Sequence, residues 1–125
     1  MTPNRKVYSL TQLNQSLEKL FWSKFSERSF WVTAEVIKVN VKRGHYYLEL
    51  ADSRNETVTA KSFATIWSRN FRIIQEQIGS SELTGILKPG NNVLFALKIE
   101  YHAVYGLKLN VLNIDPSYSY GAIEK

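Results

Sequence analysis

Apolar and polar positions along this chain switch between a helical spacing and a period of two. Leu10, Leu13, Leu17, Leu20 and Phe21 recur as one face of a helix. Ser9 is a good N-cap, and Gln12 follows at the spacing of a capping box. Tyr8 and Leu13 are placed to staple the entry. The spacing predicts a helix over 10–23 that lays one apolar stripe against the rest of the domain. A strand follows from Phe30 to about Val41. Its inward set is Phe30, Val32, Ala34 and Val36, and then the phase moves to Ile37, Val39 and Val41. A strand that changes face midway predicts a bulge or sharp bend.

Gly44 to Ala51 reads as a second strand, with Tyr46, Leu48 and Leu50 on one face and His45, Tyr47 and Glu49 on the other. Asp52-Ser53-Arg54-Asn55 is turn chemistry. Thr57 to Phe63 pairs back as a hairpin, with Val58, Ala60 and Ser62 opposite Thr59, Lys61 and Phe63. A second helical pattern spans about Thr65 to Ile78, anchored by Ile66, Phe71, Ile74 and Ile78 and stopped by Gly79. Lys88-Pro89-Gly90-Asn91 is a turn. Val93, Phe95, Leu97, Ile99 and Tyr101 then share one face of a fourth strand. After a short loop from His102 to Gly106, Leu107, Leu109 and Val111 form a fifth.

Helix, three strands, helix, two strands is the element order of the OB-fold, a small Greek-key barrel. The fold class expected is therefore β-dominated: a five-stranded OB-fold barrel with an N-terminal helix and a helix between strands 3 and 4. The expected division is a helical segment over 1–27, the barrel over 28–115 and the start of a linker over 116–125.

A chain of 125 residues suits one ordinary domain. It carries a net charge of +5 and a pI near 9.5, a mild pull toward polyanions that also suits mere solubility. Its distribution is more telling. Between Lys38 and Arg72 lie seven cations (Lys38, Lys42, Arg43, Arg54, Lys61, Arg69, Arg72) and three anions (Glu49, Asp52, Glu56), so +4 of the +5 sits in mid-chain. There is no cysteine, which removes disulfide scaffolds and thiolate chemistry. No apolar run is long enough to span a bilayer, and the N-terminus lacks the apolar core of a signal peptide. A cytoplasmic location without membrane contact is the expectation.

Basic residues, rings and strand-formers interleave from Asn40 to Phe63. Phosphates favour the cations and unstacked bases favour the rings, so such a surface suits single-stranded nucleic acid. Lys42 and Arg43 lie between strands 1 and 2, where an OB-fold grips the backbone of its ligand; the fold and the neighbouring residues favour that role over a solvated turn. His45 and Tyr47 on strand 2 are placed for hydrogen bonding and stacking, or for covering a barrel flank. Lys61 and Phe63 occupy the matching face of strand 3, where Phe63 stacks a base or packs under the second helix. Tyr105 and Lys108 are rim candidates beside the loop between strands 4 and 5. Trp67, Arg69 and Arg72 read as packing and solvation, and Trp22 and Trp31 as core or helix–barrel contacts. No catalytic residue, metal site or cofactor is expected: His45 and His102 lack ligand spacing, the acids Glu49, Asp52 and Glu56 cluster at a solvated turn, and no Gly-rich phosphate loop is present.

Several segments together resemble the N-terminal domain of the exodeoxyribonuclease VII large subunit. They are Tyr8-Ser9 with Leu13-Asn14, Trp31-Val32 with Glu35, Gly44-His45-Tyr46-Tyr47-Leu48-Glu49-Leu50, Phe63, Gly90 with Val93, Tyr101, Tyr105-Gly106-Leu107-Lys108-Leu109, Ile114-Asp115-Pro116 and Gly121. The likeness covers roughly residues 7–121 and rests on order and spacing rather than on one diagnostic motif. It implies an OB-fold that holds single-stranded DNA for a following nuclease domain, in a parent that degrades such DNA to oligonucleotides. It also implies small subunits gathered by a helical region of that parent. The chain is then expected to be a fragment that ends where the nuclease domain begins. The sequence departs from the family at Ala34, where glycine is usual, at Ala64, where a basic residue often stands, and at Lys61, a usually apolar position. The stretch 69–87 is also longer than the family's usual connection. Two further readings stay open: a protein-interaction module, and an RNA- or tRNA-binding OB domain.

Overall fold

The computed structural model describes residues 4–118. Its elements are α1 (Leu10–Phe25), β1 (Ser29–Lys42), β2 (His45–Arg54), β3 (Thr57–Ile66), α2 (Ser68–Ile78), α3 (Ser80–Ile86), β4 (Asn92–His102) and β5 (Gly106–Asp115). The strands close into a barrel in the order β1-β2-β3-β5-β4. β3 and β5 run parallel, joined only at Ala64–Leu109 and Thr65–Asn110; the other pairs are antiparallel. This is the expected OB-fold. The linker expected over 116–125 falls largely outside the described residues.

β1 serves both sides of the barrel. Ser29–Glu35 pairs with β4 and Glu35–Lys42 with β2. The register skips Ile37, between Val36↔Leu50 and Lys38↔Glu49, so the predicted change of face is a bulge. The bend is held from outside the sheet. Val36 donates its N–H to the Asn91 carbonyl at 2.9 Å, and Gly90 donates to the Val36 carbonyl at 2.7 Å.

The β2–β3 hairpin is longer than its turn residues suggested. Both strands continue past Asp52 through a second bulge, and the chain reverses at Asn55-Glu56, with φ of 51° and 65°. β3 also runs beyond Phe63. Ala64 and Ile66 are buried on its inner face, so Thr65 and Ile66 belong to the strand and not to the following helix. α2 starts at Ser68 and ends, as expected, at Gly79, whose φ is 106°. The chain then forms α3. Ile74 of α2, Leu83 and Ile86 of α3, and Leu87 join Phe95, Leu48, Val93, Val111 and Val36 in one core. The long 69–87 segment thus supplies part of the core. Tyr46 lies face to face with Phe71, centroids 3.8 Å apart, which ties β2 to α2.

α1 begins with the full capping box: the Gln12 N–H donates to Ser9 Oγ at 3.0 Å, and the Ser9 N–H donates to Gln12 Oε1 at 2.9 Å. Its orientation differs from the expectation. The Tyr101 hydroxyl donates to Asn14 Oδ1 at 2.8 Å, and the Ala103 N–H donates to a Glu18 oxygen at 3.2 Å. Phe21 stacks on Tyr101, and Phe25 meets Phe30 edge-on. These polar and aromatic contacts rotate the helix so that Leu10, Leu13 and Leu20 of the apolar stripe stay at least half exposed. Trp22 and Trp31 are likewise surface residues rather than core, 69% and 56% exposed.

Candidate nucleic-acid interface

Strand pairing sets the outer face of the β1–β2–β3 sheet in rows. Lys42 lies opposite His45; Asn40, Tyr47 and Thr65 form the next row; Lys38, Glu49 and Phe63 the next; and Lys61 lies across Ala51 from Glu35. Side chains two apart on a strand share a face, so His45, Tyr47, Lys61 and Phe63 stand together as expected. Lys38, Asn40, Tyr47, Glu49 and Phe63 line a shallow hollow there. Phe63 is 69% exposed, so it does not pack beneath α2.

Lys42 precedes, and Arg43 opens, a turn much tighter than a gripping loop. Only Arg43 and Gly44 lie outside the strands, with φ of 54° and 83°, the positive pair of a two-residue hairpin turn. A Cβ at position 44 would also press on the Ser68 Cβ at 3.3 Å. The turn therefore projects Arg43 from its tip, with Lys42 on the outer face of β1. Lys61 is partly neutralised by Glu49, Nζ to Oε2 3.1 Å.

Trp67, assigned to packing from the sequence, joins the remaining candidates. Its ring meets His45 edge-on at 5.0 Å and Tyr47 at 6.4 Å. Its Nε1–H donates to Asn110 Oδ1 at 2.9 Å, and Asn110 in turn donates to Glu100. The Lys108 ammonium lies 5.9 Å from the Trp67 ring and 5.6 Å from that of Tyr105, within cation–π reach. Tyr105 leans on His102, whose Nδ1 accepts the N–H groups of Val104 and Tyr105. A belt of rings and cations thus runs from Phe63 and Tyr47 through His45, Trp67 and Lys108 to Tyr105. A signal for Trp67 was present in the sequence: the alternation of Lys61, Phe63 and Thr65 carries on to it, outward, while Ala64 and Ile66 point in.

His45 has a second role that sequence did not suggest. The Ser68 N–H donates to its Nδ1 at 3.0 Å, which leaves the ring proton on Nε2 and fixes the plane of the imidazole. Among the described residues, no group of three or more His, Asp or Glu is arranged to hold a metal ion. Nor is any helix long and apolar enough to cross a membrane. What the belt can do chemically is hold flat rings and anionic groups side by side, the two halves of a nucleotide.

Comparison with known proteins identifies the domain. Residues 8–115 match the family described as OB-fold nucleic acid binding domain. The chain is similar to the exodeoxyribonuclease 7 large subunit of Deinococcus radiodurans, 31% identical over 96 residues. That alignment takes in 73% of this chain and 23% of the relative, so the chain spans about a quarter of the protein it matches.

Proposed function

Because the chain belongs to the family of OB-fold nucleic acid binding domains, we propose that it holds single-stranded DNA for an exodeoxyribonuclease VII large subunit. The belt from Phe63 to Tyr105 is the observation that supports this reading most. Bases stack on Phe63, Tyr47 and Trp67, while Lys42, Arg43, Lys38 and Lys108 draw the phosphates. Stacking is tolerant of sequence, because every base has a flat face. The parent cleaves the strand that this domain presents, leaving short oligonucleotides, and engages small subunits through other parts of its length. The similarity to the Deinococcus radiodurans subunit supports this assignment.

Titration of a labelled mixed-sequence DNA oligomer at low and high salt tests the proposal. Affinity is expected to fall steeply with salt, as counterions released by phosphate contacts require. Binding that ignores salt, or none, favours a protein-interaction module. Competition with RNA of the same sequence separates the DNA reading from an RNA-binding one, since the 2′-hydroxyl is what distinguishes the two ligands.

A further inference from the structure

A second concavity lies beyond the end of the belt. It is a groove of about 230 Å³ between α1 and the outer side of β4 and β5, lined by Glu18, Trp22, Lys98, Glu100, His102 and Lys108. That is smaller than the clefts of ~300–1,000 Å³ that take drug-sized ligands, and it suits one planar ring. Lys108 belongs to both places: it lines this groove and also lies over Trp67 and Tyr105. Lys98 faces Asn110 in the β4–β5 ladder, and Asn110 accepts the Trp67 indole N–H. The groove is thus continuous with the belt.

Its chemistry differs from that of the belt. Two cations, Lys98 and Lys108, stand beside two carboxylates, Glu18 and Glu100. Both carboxylates already accept protein hydrogen bonds, Glu18 from the Ala103 N–H and Glu100 from Asn110. A carboxylate offers about four acceptor sites, so capacity for a further donor remains. The carboxylates welcome the N–H edge of a base, and the two ammonium groups beside them welcome its phosphates. Trp22, 69% exposed, provides a large flat wall in a place where an apolar ring gains little from solvent.

We propose that this groove seats one nucleobase of a bound strand, stacked on Trp22, with its N–H groups toward Glu18 and Glu100 and its flanking phosphates at Lys98 and Lys108. The inference rests on the reading of the belt as a single-stranded DNA surface and extends the track around the barrel.

The test is a series of mixed-sequence single-stranded DNA oligomers of increasing length, titrated at fixed salt against the native chain, Trp22→Ala and Trp22→Phe. On the longest oligomers Trp22→Ala should bind about tenfold more weakly than native, in the range a stacked base contributes. On the shortest oligomers that still bind it should match native, and Trp22→Phe should recover most of the loss. Circular dichroism melts of the three proteins show whether the fold is intact. Equal binding by Trp22→Ala at every length overturns the proposal, and so does an equal loss at every length. If the native chain binds no oligomer, the belt reading falls and takes this one with it. If oligomers bind and Phe63→Ala weakens them while Trp22→Ala changes nothing even at the greatest length, this inference alone falls.

Discussion

The Nδ1 of His45, on β2, accepts the N–H of Ser68, the first residue of α2, at 3.0 Å. Trp67 occupies the N-cap position of that helix without any side-chain capping bond. The free amides of a helix start need acceptors, and here one comes from a neighbouring strand. His45→Ala removes that acceptor together with the edge contact to Trp67. Loss of a capping acceptor costs about 0.5–2 kcal/mol, so the midpoint of urea unfolding should move down by that equivalent. An unchanged midpoint would mean that water replaces the imidazole at no cost.

Phe63 and Trp67 separate binding from stability. Phe63 is largely exposed, so Phe63→Ala should leave the melting temperature nearly unchanged. Its loss should weaken single-stranded DNA binding by about 1–3 kcal/mol, the contribution of one stacked base. Trp67→Ala should lose affinity on the same scale and stability as well, because its indole bonds Asn110 and its ring packs on His45 and Tyr47. Fluorescence anisotropy paired with thermal melts distinguishes the two patterns. A Phe63→Ala variant with native affinity would place the bases elsewhere.

Most of the barrel is legible as alternation. The change of face at Val36 and Ile37 marks the bulge that lets β1 pair with two partners, and Gly79 marks the end of α2. The missed elements follow from contacts that no local pattern encodes. α3 contains Thr84 and Gly85, poor helix formers, and is held by tertiary contacts. Leu83 and Ile86 enter the core, and Asn91 donates to the carbonyls of Gly85 and Ile86. α1 was read by its leucines, yet Asn14 and Glu18 decide its orientation through polar contacts with Tyr101 and Ala103. The candidate site shows the same division. Alternation put His45, Tyr47, Lys61 and Phe63 on one face. A helical pattern that opens at Thr65 places Trp67 on a helix surface and hides its link to Lys108 and Tyr105, whereas the helix opens at Ser68.

At the end of β5, Asp115 Oδ1 accepts from the Ser117 hydroxyl at 2.6 Å and from its backbone N–H at 3.0 Å. The Ser117 side chain, then the Ser117 backbone amide, hold the carboxyl below its ordinary value of 3.8; desolvation opposes them less strongly, and the Tyr118 amide adds the smallest contribution. A carboxyl depressed in the folded state adds stability that is present above its unfolded value and lost as pH falls through the folded one. Ser117→Ala should raise the Asp115 titration toward 3.8, as followed by carboxyl carbon shifts in an NMR titration. A midpoint that stays put would assign the depression to the backbone amides alone.

The cations of the β1–β2–β3 face differ in how freely they can meet phosphate. Lys61 is shared with Glu49, whereas Arg43 projects from a two-residue turn and Lys42 stands opposite His45. For single strands the logarithm of affinity falls with the logarithm of salt at about −0.7 per phosphate neutralised. Removing both Lys42 and Arg43 should therefore flatten that slope by about 1.4 if each contacts one phosphate. Lys61→Ala should flatten it less, because its charge is already partly balanced. Glu49→Gln offers the converse: freeing Lys61 and deleting an anion beside Phe63 should raise affinity at low salt and steepen the slope. The Lys61 end of this ion pair is exposed and Glu49 is only partly so; surface pairs contribute a median of about 0–1 kcal/mol to folding, so these changes should appear in binding more than in the melting temperature. If Glu49→Gln weakened binding instead, the carboxylate itself would be a contact to the bases, and the phosphate track would have to be drawn away from Lys61.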